Sequence, residues 1–229
     1  MSTAVERQSV ESHNGDVGVP LGGTLVLLAA AGLLGLISRA VKNEETKPVD
    51  EHIHEVLQAH RSRPVDLLAR PVTLLSLPIL VVAATAGLVL WLKQKDRPEA
   101  AIAIGFAPVA AATLGQTYTM FFPQRNPPDN QGGQAGQASE ASFPSGHTAG
   151  VTAEALAIGY VLSRENLISP KVLAVVLGWP LIVGAIRLYR DRHWASDILA
   201  GWVAGAGVAA VSAILYDVLT SRKPTTSSA

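Results

Sequence analysis

Residues 17–38, VGVPLGGTLVLLAAAGLLGLIS, run for 22 positions between Asp16 and Arg39 without a formal charge. A helix needs about 20 mainly apolar residues to cross a bilayer, so this stretch reads as a membrane span. Two more such runs follow, 22 residues between Arg70 and Lys93 and 25 between Glu99 and Arg125. Further along, apolar segments extend from near Gly146 to just before Arg164, from Lys171 to about Leu188, and from about Ala195 to Leu219. The reading is an all-α integral-membrane bundle of about six transmembrane helices, the first three near 20–40, 71–93 and 100–122. Glu154 interrupts the fourth and Pro180 lies inside the fifth, which is tolerable where neighbouring helices satisfy the freed carbonyl.

Composition agrees. Charged residues make up 16% of the chain and hydrophobic ones 48%, and Lys+Arg balance Asp+Glu at 18 each. No basic field argues for nucleic acid, and the absence of cysteine excludes disulfides, thiolate metal sites and cysteine nucleophiles. Residues 1–18 are expected to be a disordered polar segment, 19–220 the membrane domain and 221–229 a polar tail. The acidic N-terminal segment does not resemble a cleavable signal, so the first span is expected to be an uncleaved anchor.

Residues 50–70 alternate charged and apolar positions (Ile53, Val56, Leu57, Val65, Leu67, Leu68) and predict an amphipathic helix on the membrane surface. Its histidines, His52, His54 and His60, read as solvated surface. Residues 123–141, rich in Pro, Gly, Asn and Gln, read as a loop. Lys93, Lys95 and Arg97, with Arg222 and Lys223, mark one side as cytoplasmic by the positive-inside rule. Both termini then lie inside and the third and fifth loops outside, although Arg61, Arg63 and Arg70 in the first loop pull the other way.

Those two loops carry the chemistry. In Ser142-Phe143-Pro144-Ser145-Gly146-His147-Thr148, Gly146 admits close approach of a ligand, and a helix begins at about Thr148. The free N–H groups of a helix start bind anions, and His147 beside them can pass a proton to a leaving oxygen. The plainer reading is a Ser-Gly turn with Ser145 or Thr148 as a cap. Four specified residues such as Pro144-Ser145-Gly146-His147 recur by chance in about one chain in a thousand of this length.

In Arg187-x5-His193-x3-Asp197, a helix beginning near His193 puts Asp197 one turn on, on the same face. A carboxylate so placed can hold one imidazole nitrogen as a donor and leave the other as nucleophile. Arg187 offers a planar fork matched to phosphate oxygens; the plainer reading is an interfacial Arg/His cluster. Arg125, at the end of the third span, is either a phosphate ligand or an anchor to headgroups. Tyr189 and Trp194 read as interfacial aromatics.

The order Arg125…Pro144-Ser145-Gly146-His147…Arg187-x5-His193-x3-Asp197 resembles the three-part signature of the type 2 phosphatidic acid phosphatase family, which also includes vanadium-dependent haloperoxidases. Asp50-Glu51-x-Ile53 and Asp197-x-Leu199-Ala200-Gly201-Trp202 are similar to it too, so the likeness spans roughly 45–220. The resemblance implies a helical bundle without metal or cofactor, whose partners are the bilayer and a membrane lipid phosphate. His193 would attack phosphorus to form a phosphohistidine, oriented by Asp197, and His147 would protonate the leaving group. Arg125, Arg187 and the amides around Ser145 and Gly146 would hold the phosphoryl oxygens.

The sequence departs from the family where a lysine usually stands seven residues before the first arginine. Tyr118 occupies that place, and no lysine lies between Lys95 and Lys171. Tyr118 offers one neutral hydrogen bond; Arg190 or Arg192 are the candidates to restore the charge. Ile186 stands where a serine is usual. Losing one charged contact costs about 1.5–3 kcal/mol, or one to two powers of ten in rate. Glu154, two turns and about 10 Å beyond His147, is expected either to close a polar network beneath the site or contact substrate, or to pair with a polar group of a neighbouring helix.

The function expected is hydrolysis of a phosphomonoester or pyrophosphate headgroup at an outward-facing site, on polyprenyl pyrophosphate, phosphatidylglycerophosphate or phosphatidic acid. The alternatives are a phosphate-lipid binder or transporter with little turnover, a haloperoxidase, and a purely structural membrane protein.

Overall fold

The computed structural model describes residues 20–121, 125–130 and 142–221. The expectations for residues 1–18 and for the polar tail, and most of the loop at 123–141, fall outside them. Among the described residues every element is helical: α1 (Leu21–Lys42), α2 (Lys47–Ala59), α3 (Arg63–Leu75), α4 (Pro78–Gln94), α5 (Pro98–Phe121), a short 3₁₀ turn (Pro128–Asn130), α6 (Gly146–Arg164), α7 (Pro170–Tyr189) and α8 (Ala195–Ser221).

Six of these helices stand where six spans were expected. By length and composition, however, only four can cross a membrane: α1, the Pro98–Tyr118 stretch of α5, α7 and α8. The α3–α4 pair, bent by 54°, makes a fifth. The expected surface helix at 50–70 is two helices, and the second continues to Leu75 before the chain turns into α4. The break falls at Ser76-Leu77 because Pro78 opens the next helix and has no N–H to continue the old one. α6 misses the hydropathy test because His147, Thr148, Thr152 and Glu154 lower its mean. It packs on α5, α7 and above all α8, and its Thr148, Thr152 and Glu154 are buried. A helix walled by other helices can carry polar side chains at membrane depth.

Small residues let the bundle close. A Cβ on Gly205 of α8 would stand 2.5 Å from the Ala149 carbonyl oxygen, and one on Gly201 would stand 2.9 Å from that of Ser145. The backbones of α6 and α8 therefore touch along a Gly201-x3-Gly205 stripe, the small-residue packing that membrane helices use where lipid supplies no hydrophobic drive. Ala107, Ala111, Ala153, Ala157 and Val208 fill the mid-bundle in the same way.

Helix direction sorts the two ends. One end gathers the α4–α5 turn, the end of α6 and the end of α8, where Arg97 pairs with Glu165 and Tyr160 donates to Asp217 at 2.8 and 2.9 Å. Pro20, before α1, shares a pocket with Arg164 and Asp217 at that end. The opposite end gathers α2, α3, the starts of α6 and α8 and the ends of α5 and α7, and it holds the two sequence motifs.

Candidate active site

Ser145 is fully buried and opens α6 as its N-cap. Its hydroxyl accepts from the Thr148 amide at 3.4 Å and lies 2.9 Å from the Thr148 hydroxyl, while its own amide donates to the Asp197 carbonyl at 3.1 Å. The polar groups expected to meet phosphate are thus engaged in fixing the helix start. The first-turn amides of Gly146 and His147 remain as the donors that α6 presents, since the first N–H groups of a helix have no intrahelical acceptor. Gly146 is exposed, and both residues border a cavity of about 510 Å³.

Arg187, in the last turn of α7, brings the two histidines together. Its Nη2 stands 3.3 Å from His147 Nδ1 and 3.3 Å from His193 Nε2. Its Nε is buried and has no hydrogen-bond partner among the described residues. Among the described residues no carboxylate lies in ion-pair range of Arg187, so its positive charge is not cancelled locally.

His193 is buried, and its Nδ1 meets the Ser142 carbonyl at 3.0 Å. A carbonyl only accepts, so that contact places the proton on Nδ1 and leaves the Nε2 lone pair toward Arg187. This corrects the role expected of Asp197. Its Oδ2 stands 3.7 Å from His193 Nδ1, beyond a hydrogen bond. The reason is position: in the first turn of α8, Oδ2 accepts the Trp194 amide at 2.8 Å and Oδ1 accepts Arg125.

Arg125 is the second correction. Nε and Nη2 donate to Asp197 Oδ1 at 2.9 and 2.7 Å, Nη1 donates to Asp50 Oδ2 at 3.0 Å, and Nη2 also reaches Ser196 Oγ at 2.5 Å. Asp50, from α2, further accepts the Ser196 amide and hydroxyl at 2.9 and 2.7 Å. The guanidinium lies between two buried carboxylates and binds α2 to the start of α8. Trp194 stacks beside it at 5.7 Å and donates Nε1 to the Asn126 carbonyl at 2.9 Å.

The residues expected to replace the lysine are elsewhere. Tyr118 is buried against Phe143, at 6.5 Å between ring centroids, in a cluster with Leu34, Ala149, Ala200 and Ala204. Arg190 is exposed and reaches Thr73 of α3 at 3.4 Å, and exposed Arg192 pairs with Asp129 at 2.8 Å. The polar α5 side chain that borders the cavity with His147 is Gln116, beside Pro108, Ala111 and Ala112. Two residues before Tyr118, it points from the other side of the helix.

A clamp holds the α7–α8 turn in place. Asp191 accepts from Gln58 at 2.5 Å and pairs with Arg61, and His54 Nδ1 lies 3.2 Å from its second oxygen. The Tyr189 hydroxyl both accepts from the Ser62 amide (2.9 Å) and donates to its carbonyl (3.1 Å). His54, expected on a solvated surface, and Tyr189, expected as an interfacial aromatic, both therefore hold the fold. Glu154 is buried and accepts from Thr85 of α4 at 2.8 Å, so it joins a neighbouring helix.

The assembled cluster contains two imidazoles against one unneutralised guanidinium, two helix-start amides, and a mainly apolar cavity leading away between α4, α5 and α6. Comparison with known proteins gives the same direction. A sequence model described as the PAP2 superfamily matches residues 79–221. The crystal structure of the first transmembrane PAP2 type phosphatidylglycerolphosphate phosphatase, from Bacillus subtilis, is similar in fold. It shares 19% identity with a TM-score of 0.61, covering 81% of this chain and 93% of that one. No curated protein matches the sequence.

Proposed function

The chain belongs to the PAP2 superfamily, and on that premise we propose that it is a metal-independent phosphatase of membrane lipid phosphates working through a phosphohistidine. Membership supports phosphatase activity broadly, and the apolar helices support an integral membrane protein. The observation that carries the finer reading is Arg187. Its Nη2 bridges the two histidines while its buried Nε awaits an acceptor, which is the arrangement a phosphoryl oxygen would complete.

In this mechanism the Nε2 lone pair of His193 attacks phosphorus as the bond to the leaving oxygen breaks. The Nδ1 proton stays on the Ser142 carbonyl contact, and Asp197 stabilises the charge on the ring. His147, as an imidazolium carrying both ring protons, delivers the Nε2 proton to the leaving oxygen and becomes the neutral ring. Water then attacks the phosphohistidine, His147 takes its proton, and inorganic phosphate leaves. Arg187 and the amides of Gly146 and His147 hold the equatorial oxygens, where transition-state charge develops. The mainly apolar cavity beside His147 receives a lipid tail. Polyprenyl pyrophosphate, phosphatidylglycerophosphate and phosphatidic acid all fit this chemistry. Lys93, Lys95 and Arg97 lie at the end opposite the site, which by the positive-inside rule turns the site outward.

A second reading, a phosphate-lipid binder with little turnover, draws on the neutralised Arg125 and on Gln116 standing where a cation would help. Phosphate release from the three lipids by wild type and His193→Ala, both in EDTA, separates the two. Release by wild type alone supports the phosphatase; lipid binding without release by either supports the binder.

A further inference from the structure

Glu154 and Thr85 take no part in the chemistry above, yet they are placed with respect to it. On α6, Gly150 and Val151 precede Glu154 by four and three residues; on α4, Val81 and Val82 precede Thr85 by four and three. All four border the cavity that opens at His147. Residues three and four apart share a helix face, so Thr85 and Glu154 lie one turn beneath the cavity walls on both sides. Among the described residues theirs is the side-chain hydrogen bond that ties α4 to α6. α4 otherwise packs mainly on α5.

We propose that the Thr85–Glu154 bond is the floor of the tail cavity and sets the length of apolar chain the site seats. This rests on the reading of the cavity as the lipid-tail site. The depth from His147 to Glu154 is seven residues of helix, about 10 Å. A chain fills the cavity to that depth, and further length turns out into the bilayer. Pushing between the two helices would break the bond and leave the Glu154 carboxyl buried without a partner, its Oε2 having none among the described residues, while the Thr85 hydroxyl would keep the Val81 carbonyl at 2.9 Å. Methylene contacts therefore end where the polar pair begins.

The test is the affinity of a straight-chain alkyl phosphate series, from butyl to hexadecyl, for the full chain in nanodiscs. Phosphate release is followed on the same compounds. Wild-type affinity is expected to rise by about fourfold per methylene until the chain meets the floor, then level. Glu154→Ala and Thr85→Ala are expected to move the levelling point to longer chains. Glu154→Gln, whose amide oxygen still accepts from Thr85, is expected to keep it. A levelling point that Glu154→Ala leaves in place, whatever its overall loss of affinity, overturns the proposal, as does a wild type with no chain-length dependence. A wild type that shows the expected profile but releases no phosphate refutes the phosphatase reading and leaves the floor standing.

Discussion

The carbonyl of Ser142 holds Nδ1 of His193 at 3.0 Å, closer than the Asp197 carboxylate at 3.7 Å. The orientation of His193 thus comes from backbone, and Asp197 stands beyond hydrogen-bond reach of it. Asp197 is expected to matter first for folding. Asp197→Ala should destabilise the protein by about 3–5 kcal/mol, because it strips a buried partner from Arg125. His193→Ala should remove activity and leave the melting temperature within a few degrees of wild type. Thermal unfolding in detergent beside phosphate release checks both, and an Asp197→Ala protein as stable as wild type would refute the assignment.

The two arginines should separate in the same way. Arg187→Lys keeps the charge but loses the planar fork, and is expected to cost about a hundredfold in kcat with little change in melting temperature. Arg125→Ala leaves Asp50 and Asp197 buried against one another, and is expected to lower the melting temperature before any effect on phosphate binding can be read. Equal melting temperatures for the two variants would contradict the division.

Gln116 borders the cavity with His147, whereas Tyr118 is buried in an apolar cluster. Gln116→Lys is therefore expected to raise kcat/KM by about tenfold, the worth of one added charge-assisted contact. Tyr118→Lys should destabilise by forcing an ammonium into that cluster. Steady-state kinetics on both variants decides; a gain confined to Tyr118→Lys would reverse the assignment.

Gly205→Ala should cost about 1–3 kcal/mol, since its Cβ would stand 2.5 Å from the Ala149 carbonyl oxygen and from Thr152 Cβ. The same shift moves α6 against α8 and hence His147 against His193, so kcat should fall with stability. Gly32→Ala, with nothing within 4 Å of the added Cβ, is the control expected to be neutral. Parallel melting curves and turnover for the pair check it.

The charge-free runs located α1 and α5 closely, and the apolar segments located α7 and α8, because a helix at membrane depth carries few charges; the run at 71–92 instead covers the end of α3 and most of α4. α6 was legible as an apolar segment interrupted by Glu154 and through its Pro-Ser-Gly-His start, but its polar residues blur it as a span. His147, His193 and Arg187 were readable from spacing, and the structure brings them together. The Ser142 carbonyl was not, as a backbone group leaves no mark on sequence. Nor was the fate of Arg125: a cation is spelled the same whether free or neutralised, and Asp50 lies 75 positions away. The choice of Gln116 over Tyr118 depends on the rotation of α5, which packing sets and motif counting does not.

The Asp50–Arg125–Asp197 cluster also has an order in time. Asp50 is synthesised 75 residues before Arg125, and Asp197 72 residues after it. The carboxylate that meets the arginine at the end of α5 is therefore already in the chain when α5 is made, and the second arrives with α8. The first comes from the segment before residue 79, which lies outside the family match.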